Sequence, residues 1–203
     1  MIVKYLNKVV SHNSKWVGYS EPGPGPSLPP YTIRLKFKDG VTPTFSKGTA
    51  VQVSTSPNIW DLTYENSAWT SLLEGQTKLL EVIDGNTTNV TRMGSMFDSC
   101  ASLTTVPLFD TSNVTDMSYM FWDCSSLTSI PLFDTSNVTN MNNMFYDCTN
   151  VQTGALALYQ QASTQANPSS NHIDTFRNCG SNTQTGAAEL AQIPTSWGGT
   201  MKE

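Results

Sequence analysis

The chain repeats itself, and that repeat limits its possible architecture more than any local propensity does. Residues 103–126 read LTTVPLFDTSNVTDMSYMFWDCSS and residues 127–150 read LTSIPLFDTSNVTNMNNMFYDCTN, agreeing at 16 of 24 positions without a gap. One unit upstream, Val90, Met93, Met96, Phe97 and Cys100 precede Val114, Met117, Met120, Phe121 and Cys124 by 24 residues. A unit this short cannot bury its own apolar face, so its neighbours must cover it. Trp69, Leu72 and Leu73 stand 24 before Met93, Met96 and Phe97, which predicts a degenerate first unit acting as an N-terminal cap. After residue 150 the frame stretches, and Phe176 follows Phe145 by 31. The inserted Gly154–Thr164 stretch is rich in helix formers. Gly186-AAELAQIP echoes it, which predicts a C-terminal cap ending at Trp197-Gly-Gly.

Within one unit, Leu103, Val106 and Leu108 predict a short strand that bends at Pro107, and Val114–Met117 predicts a second. Met117, Met120, Phe121 and Cys124 recur at i, i+3, i+4 and i+7, which predicts a short helix over Ser118–Asp123. The expected fold class is therefore α/β, a short β/α solenoid of 24-residue coils stacked about 4.8 Å apart.

Upstream of the repeats the composition changes. Residues 1–19 form a separate segment, and residues 20–30 a Pro/Gly linker (SEPGPGPSLPP) of extended character. Tyr31, Ile33, Leu35 and Phe37 then alternate strictly with Arg34, Lys36 and Lys38, Asp39-Gly40 offers a turn, and Thr49–Ser54 can return. Residues 31–54 are thus expected to form a β-hairpin cap, and residues 55–203 the repeat domain. Residues 1–50 hold seven basic and two acidic side chains, about +5, whereas the whole chain carries –5 and the remainder therefore about –10. Lys4, Lys8, Lys15 and Trp16 mark the first segment as a docking foot.

Only 13% of residues are charged, about half the usual share. Solubility falls instead to 23 Ser, 26 Thr and 16 Asn. The net negative charge argues against a general nucleic-acid binder. No apolar run approaches a membrane span, and the first residues do not read as a secretory signal. His12 and His172 are far apart in the sequence, and no P-loop, GxSxG, HExxH or GxGxxG motif occurs, so neither enzyme chemistry nor a cofactor is expected.

Cys100, Cys124, Cys148 and the related Cys179 lack metal-ligand pairing and read as a buried, reduced ladder, although a bridge between neighbours is open to them. Asn89, Asn113 and Asn137 each precede Val-Thr. Their period marks a structural ladder rather than glycan acceptors. Asp110 and Asp134 read as turn formers.

Positions that differ between units are those a scaffold can vary without losing its core: Arg92/Asp116/Asn140, Ser95/Tyr119/Asn143 and Asp98/Trp122/Tyr146. Trp122 and Tyr146, with Tyr119 near and Asp123 and Asp147 beside them, form the candidate ligand-binding set, suited to a sugar ring or a peptide anchor. Packing over the unit's end is the competing role for the same rings.

The string LTSIPLFDTSNVTNMNNMFYDC resembles the repeat of BspA-like leucine-rich-repeat surface proteins, including the variant abundant in mycoplasma lipoproteins and in gut bacteria and their phages. The resemblance is strong over residues 79–150 and weak over about 55–200. It implies a leucine-rich-repeat-like scaffold displayed on a surface, adhesive in some members. With no export signal read at the N-terminus, the expectation is a virion-associated fibre or decoration protein. Its foot would dock on a virion protein, and its repeats would meet a protein or glycan on a cell or mucosal surface. A bacterial cell-surface adhesin and a purely structural virion protein are the alternatives. The oligomeric state is open, with no heptad run to fix it.

Overall fold

The computed structural model describes residues 28–165 and 171–201. The regular elements begin with four strands: β1 (Thr32–Phe37), β2 (Thr49–Thr55), β3 (Asn58–Thr63) and β4 (Leu79–Gly85). They form one antiparallel sheet in the order β2-β3-β1-β4. Two short helices follow, α1 (Ala155–Thr164) and α2 (Gln184–Leu190), then a 3-10 turn at Thr195–Trp197.

β1 behaves as its alternation dictates. Ile33, Leu35 and Phe37 are buried, while Arg34 and Lys36 point to the other face. There Arg34 faces Asp61 of β3 in register and binds it through two hydrogen bonds of 2.7 and 2.8 Å, and Lys36 reaches Glu81 of β4 at 3.2 Å. Such part-exposed pairs contribute at most about 1 kcal/mol, but opposite charges across each seam favour this register.

The expected hairpin between Tyr31–Lys38 and Thr49–Ser54 does not form. β2 pairs with β3 instead, because only Ser56 and Pro57 separate them and the short connection makes that pairing local. β3 and β4, not anticipated as sheet strands, flank β1 on its two sides. The sheet therefore runs across the boundary drawn at residue 54.

The expected β/α solenoid is corrected as well. The regular structure is the four-stranded antiparallel sheet and two short helices, and none of the described repeats between residues 86 and 150 contains the strand-and-helix pair. Two physical causes are visible. Tyr119 and Asp123 have φ of 56° and 52°, a left-handed conformation that no right-handed helix accommodates. Moreover, the N–H groups of Met117, Tyr119, Phe121 and Asp123 donate to Asn140, Asn142, Met144 and Tyr146 at 2.9 Å, so they cannot make the bonds of a helix. The predicted strands shrink to isolated parallel bridges, such as Arg92 with Asp116, Asp116 with Asn140, and Glu81 with Thr105.

The helix propensity of the insertion is expressed in α1, and the echoing segment forms α2. Gly154 opens α1 at φ 105°, where a Cβ would strike the carbonyl oxygen of Ile130.

One apolar cluster runs from the sheet through the repeats to Trp197. Phe97, Phe121 and Phe145 stack with centroids 5.2 Å apart, and Phe176 continues at 5.9 Å. Phe109 and Phe133 form a second stack at 6.1 Å. Buried Thr87 and Thr111 donate to the carbonyls of Asp110 and Asp134, which removes the cost of burying their hydroxyls.

Phe121 is fully buried between its stacked neighbours. Phe121→Ala is expected to cost about 3–5 kcal/mol, measured by denaturant unfolding. Asn143 has φ 55°. Asn143→Val should therefore lose about 1–2 kcal/mol, whereas Asn143→Gly should stay near wild type in the same assay.

Candidate functional site

The segment Met117–Cys124 sends Met117, Met120, Phe121 and Cys124 inward, all fully buried. The positions between them are left for the surface. Three overlapping tight turns arrange them, of which the surface positions depend on two: Trp122 N–H donates to Tyr119 O at 3.1 Å, and Cys124 N–H to Phe121 O at 3.1 Å. The former brings the Tyr119 and Trp122 rings edge to face, 5.9 Å apart at 74°. In the next repeat Tyr146 occupies the place of Trp122, and Asp123 N–H donates to its carbonyl at 2.9 Å. This bond holds the Trp122 and Tyr146 rings 6.3 Å apart at 79°.

Three aromatic side chains from two repeats therefore form a continuous row. Tyr119 and Trp122 each keep 39% of their surface exposed, so the row is neither core nor free in solvent. At its far end the Arg177 guanidinium lies over the Tyr146 ring, 5.6 Å from the centroid, and donates to Asp174 at 3.3 Å. Arg177 was not singled out from the sequence. The offset of 31 that relates Phe176 to Phe145 also relates Arg177 to Tyr146, and it is the signal that could have found it.

Carboxylates border the row. Asp98 stands one repeat before Trp122, and the neighbouring Ser99 N–H donates to Trp122 O at 2.8 Å. Asp98 is buried, and among the described residues its carboxylate accepts a single side-chain hydrogen bond, from Ser99 Oγ at 2.7 Å. Burial holds its carboxyl above the usual range, and the nearby charges of Glu74 and Asp123 push the same way, against the Ser99 bond. Asp123 is exposed, and Asp147 accepts a hydrogen bond from Asn178 Nδ2 at 2.7 Å. The structure thus brings Tyr119, Trp122, Asp123, Tyr146 and Asp147 onto one face, with Asp98 and Arg177 added. Lys4, Lys8, Lys15 and Trp16 lie outside the described residues.

The ladder residues are structural in their contacts. Asn113 and Asn137 donate to the carbonyls of Thr88 and Ser112 at 2.8 and 2.7 Å. Asn150, missed in the sequence, does the same to Ser125 at 2.7 Å. Asn89 makes no such bond among the described residues, and the Trp69 indole N–H donates instead to Tyr64 O, the corresponding carbonyl, at 3.3 Å. Cys100, Cys124 and Cys148 donate through Sγ to the carbonyls of Leu73, Phe97 and Phe121 at 3.0–3.1 Å. These three and Cys179 are buried free thiols. Desolvation pushes the Cys100 thiol up to about 12 and the other three upward as well. Asp110 and Asp134 accept the backbone N–H groups of Ser112 and Ser136 in tight turns, and bonding to Ser112 lowers the Asp110 carboxyl.

The geometry defines a repeat protein with a continuous buried core and an aromatic, acid-bordered face. The family model described as "Mycoplasma protein of unknown function, DUF285" matches residues 51–181, and the chain belongs to this family. That family is related to the BspA-like repeat surface proteins. Comparison with curated proteins and with solved structures finds no match. No helix among the described residues is long and apolar enough to cross a membrane.

Because a thiol reacts as its thiolate, the buried ladder should be inert in the folded chain. At pH 8, a thiol-specific reagent is expected to label none of the four cysteines in buffer and all four in denaturant. Labelling in buffer at the unfolded-state rate would contradict this burial.

Proposed function

We propose that the chain is a non-catalytic recognition and adhesion module of BspA-like character, meeting a protein or glycan ligand through the row Tyr119–Trp122–Tyr146. The observation that carries this reading is the position of the rings. They sit where the repeats differ, stay part-exposed, and are fixed from both sides by backbone hydrogen bonds. A site so held loses little side-chain freedom on binding, and amphipathic rings supply contact area at low entropic cost. In the purely structural reading the same rings would only shield the turns beneath them.

We favour display on the bacterial cell surface over the virion, a reading supported by the relation of the family to repeat surface proteins. Quantitative mass spectrometry of washed cell envelopes beside density-purified particles from the source culture decides between them. Recovery with the envelope is the expected result, and stoichiometric recovery with particles would restore the virion as the place of display.

The Trp122→Ala, Tyr146→Ala double variant should retain the wild-type thermal midpoint within about 3 °C, since neither ring is in the core. It should lose adhesion to host cells. Adhesion equal to wild type by a folded double variant would sink the recognition reading.

A further inference from the structure

The chemistry of the row's border bears on what it binds. Aromatic faces attract cations, and the chain itself shows such a contact, since Arg177 lies over Tyr146. One repeat earlier, Trp122 and Tyr119 offer the same kind of ring, and among the described residues no cation is placed over them. Beside them stand Asp98 and Asp123, close enough for their charges to interact. Asp98 is buried with one hydroxyl donor, an arrangement that costs free energy until a positive group or further donors reach it. An acidic glycan would meet repulsion at this border, and a neutral sugar would bring hydroxyl donors but no positive charge.

Spacing points the same way. Side chains on one face of an extended peptide recur about every 6.6 Å. The ring centroids of the row are 5.9 and 6.3 Å apart. An extended segment with Lys or Arg at alternate positions would therefore advance by about one ring per cation, past rings whose planes turn by 74° and 79° from one to the next. The residues after position 50, about –10 in net charge, would also steer such a segment inward.

Resting on the recognition reading above, we infer that the row Tyr119–Trp122–Tyr146, with Asp98 and Asp123, binds an extended basic segment of a partner protein. The cations lie over the Tyr119 and Trp122 rings and pair with the two carboxylates. Arg177 holds the place over Tyr146 and stops the segment at that end of the row.

The test uses the full chain, with calorimetry and the indole N–H resonance of Trp122 as readouts. The probes are Ac-Arg-Gly-Arg-Gly-Arg-amide, Ac-Gln-Gly-Gln-Gly-Gln-amide and chitotriose. The arginine peptide is expected to bind at least about tenfold more tightly than the glutamine peptide and to shift the Trp122 signal. Its affinity should fall as salt rises from 50 to 300 mM. Asp98→Asn with Asp123→Asn should weaken the arginine peptide at least about tenfold while the thermal midpoint holds. Equal binding of the two peptides, no binding of the arginine peptide at millimolar concentration, or an undiminished double Asn variant would overturn the inference. Chitotriose binding that Trp122→Ala abolishes, without peptide binding, would overturn it while leaving the recognition reading intact. If Trp122→Ala alters the binding of no probe and leaves adhesion unchanged, both fail together.

Discussion

Between Met93 and Cys100 the backbone N–H groups alternate between two kinds of partner. Met93, Ser95, Phe97 and Ser99 donate to Asp116, Ser118, Met120 and Trp122 in the next repeat, at 2.8–2.9 Å. Met96, Asp98 and Cys100 donate backward to Met93, Ser95 and Phe97. The following repeat does the same. This alternation is possible only because residues at four-position intervals, Ser95 and Ser99, then Tyr119 and Asp123, then Asn143 and Asp147, take left-handed φ between 52° and 59°. A helix would satisfy its N–H groups internally and leave the neighbouring repeat nothing to bond. The turns spend half of theirs on the neighbour. The phenylalanine stacks, the thiol ladder and the aromatic row all inherit their register from this choice.

The same constraint explains why the surface row is well placed. In each repeat the inward positions go to Met, Phe and Cys, and the left-handed turns force the residues between them outward. Trp122 and Tyr146 are then neighbours through a backbone bond rather than through chance packing. Asp98 and Arg177 extend the same line at its two ends, one a buried carboxylate and the other a guanidinium on a ring. The site is a consequence of adjacency between repeats, and no single repeat contains it.

Much of this was legible in the sequence, and the misses have physical causes. The period placed Met93, Phe97, Phe121 and Cys124 in the core, and strict alternation placed the buried face of β1 correctly. The spacing of Met117, Met120, Phe121 and Cys124 at i, i+3, i+4 and i+7 fits one helix face. Overlapping four-residue turns produce the same spacing. The contrary signal lay in Asn143, Asp123 and Asp147, residue types that tolerate left-handed φ, but the bulky Tyr119 at an equivalent position obscured it. β3 escaped notice because Asn58–Thr63 lacks clean alternation, and its pairing is set by the short Ser56-Pro57 connection. Arg177 was hidden by the inserted helix, which moves the frame without moving the site.

The bond pattern that joins neighbours is nearly independent of the side chains that the surface displays. An in-frame duplication or loss of one unit between residues 103 and 150 would exchange one set of backbone partners for another of the same kind, leaving no donor stranded. The two most similar units, identical at 16 of 24 positions, are also the stretch of gene best able to recombine unequally. Such an event would change the length of the aromatic row by one or two rings in a single step. The face that meets the outside is thus the part of the molecule that heredity can lengthen, shorten or recolour at least cost to the fold.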